Sequence, residues 1–214
     1  MVVTDWLPRL YPITDVDISG LSHLDQVERL ISGGATFIQL RDKKAGPRDF
    51  YHAALDCVKL AHARGARIII NDRVDIAIAT AADGVHLGQD DLPPSAARQL
   101  LGERSIIGFS THDPAQAAEA DAMPVDYIAI GPVFRTSTKA NPDPIVGIET
   151  LGEIKAGLSK PLVAIGGIVL GNAFEVISAG ADSVAVISDL FSTGNIEQRT
   201  RAYLSVLSPE SPLK

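Results

Sequence analysis

The chain has 214 residues, 46% of them hydrophobic, which is enough for one compact domain with a sizeable core and leaves little room for a second. Its formal net charge of −7 argues against nucleic acid or an anionic membrane as partner, because both require clustered Lys and Arg. Cys57 is the only cysteine, so an internal disulfide and a zinc cluster are both excluded, which fits a reducing cytoplasm.

The opening residues show no basic segment followed by an apolar one, and no later run approaches the roughly 18 apolar residues of a membrane span. A soluble protein with no membrane association is expected. The 13 prolines and 18 glycines are scattered, with no linker between halves, so residues 1–214 are expected to form one domain with short peripheral termini.

In chain order, short apolar runs rich in β-formers recur at Leu10–Ile13, Phe37–Leu40, Arg67–Ile70, Gly84–Leu87, Ser105–Phe109, Tyr127–Ile130, Pro161–Ile165 and Ser183–Ile187. Stretches of helical periodicity separate them. Near-continuous apolar strands alternating with helices are the pattern of a parallel sheet buried on both faces. Eight such repeats predict an α/β fold of the closed (β/α)8 kind, a TIM barrel.

Between the second and third runs, Pro47 suits a first helical turn, and Phe50, Ala54, Cys57, Leu60 and Ala61 repeat at helical spacing until Gly65. That face should pack on the barrel, with Cys57 as a packing residue. Gly34-Ala35, Gly65-Ala66, Asp83-Gly84 and Gly180-Ala181, each just before a run, mark tight helix-to-strand turns.

In such barrels the active site forms at the carboxyl ends of the strands, so the residues that end each run matter most. Run two leads to Arg41 and Lys43, and run three to Asn71 and Asp72. Run four leads to Gln89, Asp90 and Asp91, and run five to Ser110 and His112. Run six opens Gly131-Pro-Val-Phe-Arg-Thr-Ser-Thr-Lys139, with Thr136, Thr138 and Lys139. This loop reaches at least Gly147, far beyond the usual ~2–6 residues. Run seven is followed by Gly166-Gly167 and run eight by Ser188.

Arg41, Lys43 and Lys139 bring three positive charges to one mouth, where Asp72 and Asp91 offer carboxylates of the kind that hold Mg²⁺ with substrate oxygens. Three cations and Mg²⁺ less two carboxylates leave about +3, matching the roughly −3 of an ionised diphosphate. Gly166-Gly167 and Ile187-Ser188 occupy the position where barrels bind a phosphate monoester through backbone N–H groups. One phosphate site with a metal and one without suggest a transferase joining two phosphorylated substrates.

Gln39-Leu-Arg-Asp-Lys43, Ile70-Asn-Asp72, His86-Leu-Gly-Gln-Asp-Asp91, the Gly131–Lys139 segment, Val163-Ala-Ile-Gly-Gly-Ile168 and Gly180-Ala-Asp182 stand in an order that resembles the thiamine-phosphate synthase family, from about Tyr11 to Ser188. The resemblance implies coupling of 4-amino-5-hydroxymethyl-2-methylpyrimidine diphosphate to a carboxylated thiazole ethyl phosphate, with release of pyrophosphate and CO₂, and Mg²⁺ as cofactor. It implies that Arg41, Lys43, Asn71, Ser110 and Lys139 hold the diphosphate, with Arg41, Ser110 and Lys139 serving catalysis. Asp72 and Asp91 would hold Mg²⁺ and Gln39 would address the pyrimidine. Thr136 and Thr138 would orient the thiazole, whose phosphate Gly167, Ile187 and Ser188 would receive.

Resemblance also suggests a homodimer. His86 and His112 are expected to pack or support rather than transfer protons, and Asp42 and Lys44 to stand aside from the chemistry. The related thiazole tautomerases typically carry His where this chain has Pro132, which favours the synthase. A phosphate-metabolite sensor would need no metal-diphosphate site, and a sugar-phosphate barrel enzyme would leave the Arg-Lys and paired-Asp motifs without purpose. Residues 140–146 are expected to close over the substrates as a lid.

Overall fold

A computed structural model of the protein describes residues 6–136 and 144–208. Eight strands, β1 (Leu10–Pro12), β2 (Phe37–Leu40), β3 (Arg67–Asn71), β4 (Gly84–Leu87), β5 (Ile106–Thr111), β6 (Tyr127–Ile130), β7 (Leu162–Ile165) and β8 (Ser183–Val186), form one parallel sheet in the order β1-β8-β7-β6-β5-β4-β3-β2. The ends of this order meet. Ile13 bridges Gln39 in parallel, and the Thr14 N–H donates to the Gln39 carbonyl at 2.9 Å, so β1 also joins β2 and the barrel closes as expected.

Helices α1 (Val16–Ser19) and α2 (His23–Ser32) follow β1, and α3 (Pro47–Ala63), α4 (Val74–Thr80), α5 (Pro94–Leu101) and α6 (Pro114–Asp121) follow the next four strands. Helix α7 (Ile148–Ala156) follows β6, α8 (Ala173–Ser178) follows β7, and α9 (Ser188–Phe191) and α10 (Ile196–Val206) complete the ring. No helix among the described residues is long and apolar enough to cross a membrane. Helix α3 begins at Pro47 and buries Phe50, Ala54, Cys57, Val58 and Ala61, so the expected face is present with Val58 in it and Leu60 at its edge.

Strand periodicity divides the core into two layers. Outward residues such as Ile38, Leu40, Ile68, Ile70, Val85, Leu87, Ile107 and Ile128 pack under the helices. Inward residues form a second cluster around Tyr11, Ile13, Phe37, Ile69, Tyr127, Ala129, Val163 and Ala185. Tyr11 meets Phe37 and Tyr127 edge to face, with ring centroids 4.8 and 5.9 Å apart, the geometry the ring quadrupoles favour. Gly108 makes room for this interior: a Cβ there would lie 2.0 Å from Cζ of Tyr127.

Two local expectations are corrected. Strand β5 does not stop at Phe109, because Ser110 and Thr111 pair with Ala129 and Ile130, so Ser110 projects from the sheet itself rather than from a loop. At the α4–β4 turn the left-handed residue is Ala81 (φ 54°), not glycine. Gly84 is needed there for close approach, since a Cβ would lie 2.0 Å from the Ile106 carbonyl oxygen. Gly34, Gly65 and Gly180 do adopt positive φ at their turns.

The amino ends of the strands are tied by a repeated device. Asp83, Asp126 and Asp182 each precede an even-numbered strand and accept a backbone N–H from the first or second residue of the strand before it, from Ile68, Ile107 and Leu162 at 2.7–2.8 Å. Each carboxylate also meets a basic side chain: His62 (3.0 Å), Arg98 (2.6 Å) and Lys155 (2.7 Å) respectively. A carboxylate holding both a basic side chain and a strand N–H fixes the sheet's register at its base.

Candidate active site

The same two-residue period that hides Ile38, Ile70, Leu87 and Phe109 under the helices turns Gln39, Asn71, His86 and Ser110 inward at the upper end of the barrel. Gln39 is buried and donates through Nε2 to the Tyr11 hydroxyl at 3.0 Å. Asn71, the last residue of β3, is also buried, and its Nδ2 has no hydrogen-bond partner in the protein. An unpaired buried donor costs about 1–3 kcal/mol, which a ligand acceptor would offset.

One step beyond the strands lies a charged layer. The Lys43 ammonium meets Asp72 at 2.5 Å, although Lys43 itself is exposed. Asp72 takes a left-handed conformation (φ 62°), uncommon for a non-glycine residue, and its N–H is held by the His86 carbonyl at 2.8 Å. Asp91 accepts the Gly88 N–H at 2.7 Å. Burial pushes the Asp91 carboxyl above its ordinary range; the adjoining Asp72 carboxylate adds to this, against the Gly88 bond and the Lys43 charge. Two carboxylates crowded in this way call for a cation.

Among the described residues no group of three or more His, Cys, Asp or Glu is arranged to hold a metal, which leaves Asp72 and Asp91 as the candidate donors. That set fits Mg²⁺, which typically takes one or two protein carboxylates and fills its octahedron with phosphate oxygens and water. Neither Asp72 nor Asp91 was distinguishable by sequence alone from a helix cap; α4 and α5 have no side-chain cap, so capping is not their role.

Arg41 follows β2 and forms an ion pair with Asp15 at 2.9 Å. Asp15 caps α1 through the Ile18 N–H and lies largely buried, so the guanidinium is anchored on one side. The turn that carries Arg41 and Lys43 is set by Asp42, which accepts the Lys44 and Ala45 N–H groups at 2.9 and 2.8 Å. His23 links Asp42 (3.3 Å) to Thr14 (2.8 Å), and Thr14 in turn accepts the Arg41 N–H at 3.3 Å. Asp42, expected to stand aside from the chemistry, builds the loop that carries Arg41 and Lys43. Burial holds the His23 imidazole below its ordinary range, against the pull of Asp42.

Ser110 is joined to His86 Nε2 at 2.8 Å, and His86 Nδ1 to the Tyr127 hydroxyl at 2.9 Å. Burial lowers the His86 pKa to about 4, which fits the supporting role expected of it. His112 donates from Nδ1 to the Gly131 carbonyl at 2.8 Å and so links β5 to the start of the long loop. Gln89 donates to the Ser110 carbonyl at 2.6 Å.

The expected monoester site lies at the ends of β7 and β8. Gly166 and Gly167 both have positive φ (98° and 65°), and a Cβ on Gly167 would sit 2.5 Å from the Arg135 carbonyl oxygen. The two glycines therefore bring the β7 loop against the Gly131–Arg135 segment, with Val133 and Phe134 N–H groups donating to Ile165 and Gly166 carbonyls. Ile187 immediately precedes α9, and Ser188 is its first, exposed residue. Asp189 binds the Leu170 N–H at 3.0 Å, Arg199 at 2.7 Å and the Tyr203 hydroxyl, clamping the β7 loop, α9 and α10 together. Thr136 is half-buried at the edge of the described region. Thr138, Lys139 and most of the expected lid lie outside the described residues.

Asp15, Asp189, Tyr11 and Tyr127 were not singled out by sequence. The two tyrosines read simply as strand residues, although alternation places them on the same inward face as Gln39 and Ser110. Asp15 and Asp189 act through partners 26 and 10 residues away, which no local motif reveals.

Fold and site together define an enzyme of the parallel α/β-barrel class, with charged and polar groups gathered at the carboxyl ends of its strands. The family model described as thiamine monophosphate synthase matches residues 10–190, and the chain belongs to that family. It is 45% identical to the thiamine-phosphate synthase of Koribacter versatilis (strain Ellin345), over 94% of this chain and 96% of that one. It is 44% identical to the thiamine-phosphate synthase of Syntrophomonas wolfei, again over 94% and 96%. The solved structure of thiamine phosphate pyrophosphorylase from Pyrococcus furiosus superposes with a TM-score of 0.85 at 35% identity, covering 93% of this chain and 95% of that one. The chain is thus a transferase of thiamine biosynthesis.

Proposed function

We propose that this enzyme couples 4-amino-5-hydroxymethyl-2-methylpyrimidine diphosphate to 2-carboxy-4-methylthiazole ethyl phosphate, forming thiamine phosphate with release of pyrophosphate and CO₂. The observation that supports this most is the upper mouth of β2–β4. There the crowded Asp72 and Asp91, the Lys43 ammonium and the unpartnered Asn71 amide provide for a cation and an anionic oxygen cluster side by side.

In this reading Arg41, Lys43, Asn71, Ser110 and Lys139 hold the diphosphate, and Gln39 addresses the pyrimidine. Thr136 and Thr138 orient the thiazole, while Gly167, Ile187 and Ser188 receive its phosphate. Asp72 and Asp91 would hold Mg²⁺, which when bound would supply positive charge to the diphosphate oxygens. The electron-rich aminopyrimidine stabilises positive charge on its methylene carbon, so the C–O bond breaks with its electron pair leaving on the diphosphate. The thiazole nitrogen lone pair then forms the new C–N bond. Loss of CO₂ leaves an electron pair on the ring carbon, which takes up a proton.

No protein nucleophile is needed, and the chain's contribution is alignment and stabilisation of the leaving group. Lys139 donates a hydrogen bond or proton to the departing oxygen. Asp15, by holding Arg41, and Asp42, by shaping its turn, fix the donors before substrate arrives. Closure of the 140–146 loop would exclude water from the cationic intermediate. Deletion of Asn141–Pro144 should then raise hydrolysis of the pyrimidine diphosphate relative to coupling; an unchanged ratio removes the lid. A cytoplasmic homodimer completes the proposal, with size in solution as its check.

The decisive assay supplies both substrates and Mg²⁺ and follows thiamine phosphate and pyrophosphate, with EDTA as control. Metal-dependent appearance of both products is expected. Folded protein that forms neither would sink the proposal.

A further inference from the structure

The hydroxyls of Tyr11 and Tyr127 and the imidazole of His86 are buried polar groups to which the proposed reaction gives no role. They form an unbroken chain across the barrel interior. Gln39 Nε2 donates to Tyr11 Oη at 3.0 Å, Tyr11 Oη meets Tyr127 Oη at 2.9 Å, Tyr127 Oη meets His86 Nδ1 at 2.9 Å, and His86 Nε2 meets Ser110 Oγ at 2.8 Å. Strands β2, β1, β6, β4 and β5 each contribute one member.

Each hydroxyl has a single hydrogen, and an imidazole between two hydroxyls with no carboxylate bonded to it carries a single ring proton. The bonds must therefore all run in one sense. With Gln39 as donor, Tyr11 gives its hydrogen to Tyr127, Tyr127 gives its own to His86 Nδ1, and the Nε2–H is given to Ser110. The Ser110 hydrogen is then left outside the chain, available to an anionic oxygen. If the Gln39 amide turns over, its carbonyl accepts from Tyr11 and every bond reverses. Ser110 then spends its hydrogen on His86 and presents only lone pairs.

We propose that Gln39, Tyr11, Tyr127, His86 and Ser110 form a directional hydrogen-bond relay through which the amide orientation at the pyrimidine end sets the donor capacity of Ser110 at the diphosphate end. The proposal rests on the substrate placement given above. Tyr11, Tyr127 and His86 are positioning residues in it. An amine on the pyrimidine, which needs the Gln39 carbonyl, and a diphosphate, which needs the Ser110 hydrogen, select the same sense of the relay. The two halves of one substrate thus favour each other's binding, and coupling of this kind is reciprocal.

The test is calorimetric titration of inorganic pyrophosphate, in excess Mg²⁺, into the wild type, Gln39→Glu, Tyr127→Phe and the double variant. At about pH 9 even a strongly raised glutamate is ionised, so the carboxylate introduced by Gln39→Glu can only accept from Tyr11 and forces the reversed sense. Gln39→Glu should weaken pyrophosphate roughly tenfold, the loss of one hydrogen bond to a charged group. With the chain cut by Tyr127→Phe, the same substitution should cost about twofold or less, the residual charge repulsion. Tyr11→Phe makes an equivalent cut at the other hydroxyl and replaces Tyr127→Phe if that variant does not fold.

An equal cost of Gln39→Glu with the chain intact and with it cut would assign the effect to direct repulsion and overturn the relay, as would no cost in the intact chain. Wild-type protein that binds no pyrophosphate would overturn both the relay and the substrate placement. A failed synthase assay with this coupling intact would remove the substrate assignment alone.

Discussion

The two ends of the barrel use the same residue types in opposite ways. At the amino ends, Asp83, Asp126 and Asp182 each hold a basic side chain and a strand N–H, so the charge is fully occupied by the protein. At the carboxyl ends, Asp72 and Asp91 adjoin each other, the exposed Lys43 pairs with Asp72, and the Asn71 Nδ2 is left without a partner. A carboxylate with its partners supplied maintains the fold. Carboxylates and donors left short of partners define where a ligand belongs, and barrels place such sites on this face.

If this contrast is right, the largest effects on turnover come from the upper face. Lys139→Ala and Asp91→Asn should each lower kcat/KM for coupling by about a hundredfold or more, as expected when stabilisation of a leaving group's charge is removed. Circular dichroism should show both folded. Wild-type turnover in either variant would remove that residue from its role.

The largest effect on stability should come from the interior that joins the two ends. Gly108→Ala drives a methyl into the Tyr127 ring, and an overpacked core of this kind costs about 3 kcal/mol in denaturant unfolding. Unchanged stability would mean that the ring moves aside freely.

Asp189→Asn should cost somewhat less, about 2–3 kcal/mol at neutral pH, because it leaves Arg199 partly buried without its carboxylate. Burial alone would raise the Asp189 pKa, but bonds from Arg199, Tyr203 and Leu170 outweigh it and hold the carboxyl below its ordinary 3.8. A depressed folded-state pKa means that the unfolded chain takes up the proton first. The stabilisation is therefore present above about pH 4 and is lost as pH falls further. Wild type and variant should differ in stability at neutral pH and converge in acid; a constant difference down to low pH would contradict the assignment.

The smallest effect belongs to the lower face. Asp126→Ala should cost about 1–2 kcal/mol by leaving the Ile107 N–H and Arg98 short of an acceptor, with kcat/KM unchanged. A loss of turnover greater than the loss of folded protein would show that the two faces are not separable.

The barrel was legible in the sequence because its signal is periodic: eight apolar runs alternating with helical stretches leave few topologies, and strand boundaries fell within a residue or two. Ser110 escaped the strand limit because a serine carries no strand signal, although its backbone pairs with Ala129. Arg41, Lys43, Asp72 and Asp91 were legible as charges at the ends of runs. Their partners were not. Asp15 beside Arg41, His23 between Thr14 and Asp42, and Asp189 beneath Leu170 depend on how helices dock against the sheet, which local periodicity does not encode. The tyrosine chain lies between these cases: alternation gives the inward direction of Tyr11 and Tyr127, while their contact across 116 residues needs the closed barrel.

The most direct test measures unfolding free energy and turnover in parallel for Asp91→Asn and Asp126→Ala. The asparagine can still accept the Gly88 N–H and relieves the crowding with Asp72, so Asp91→Asn should stay within about 1 kcal/mol of the metal-free wild type while losing coupling. Asp126→Ala should show the converse, lower stability with full turnover by the folded fraction. An Asp91→Asn variant that unfolds, or one that still couples the two substrates at the wild-type rate, would contradict the division of labour between the faces.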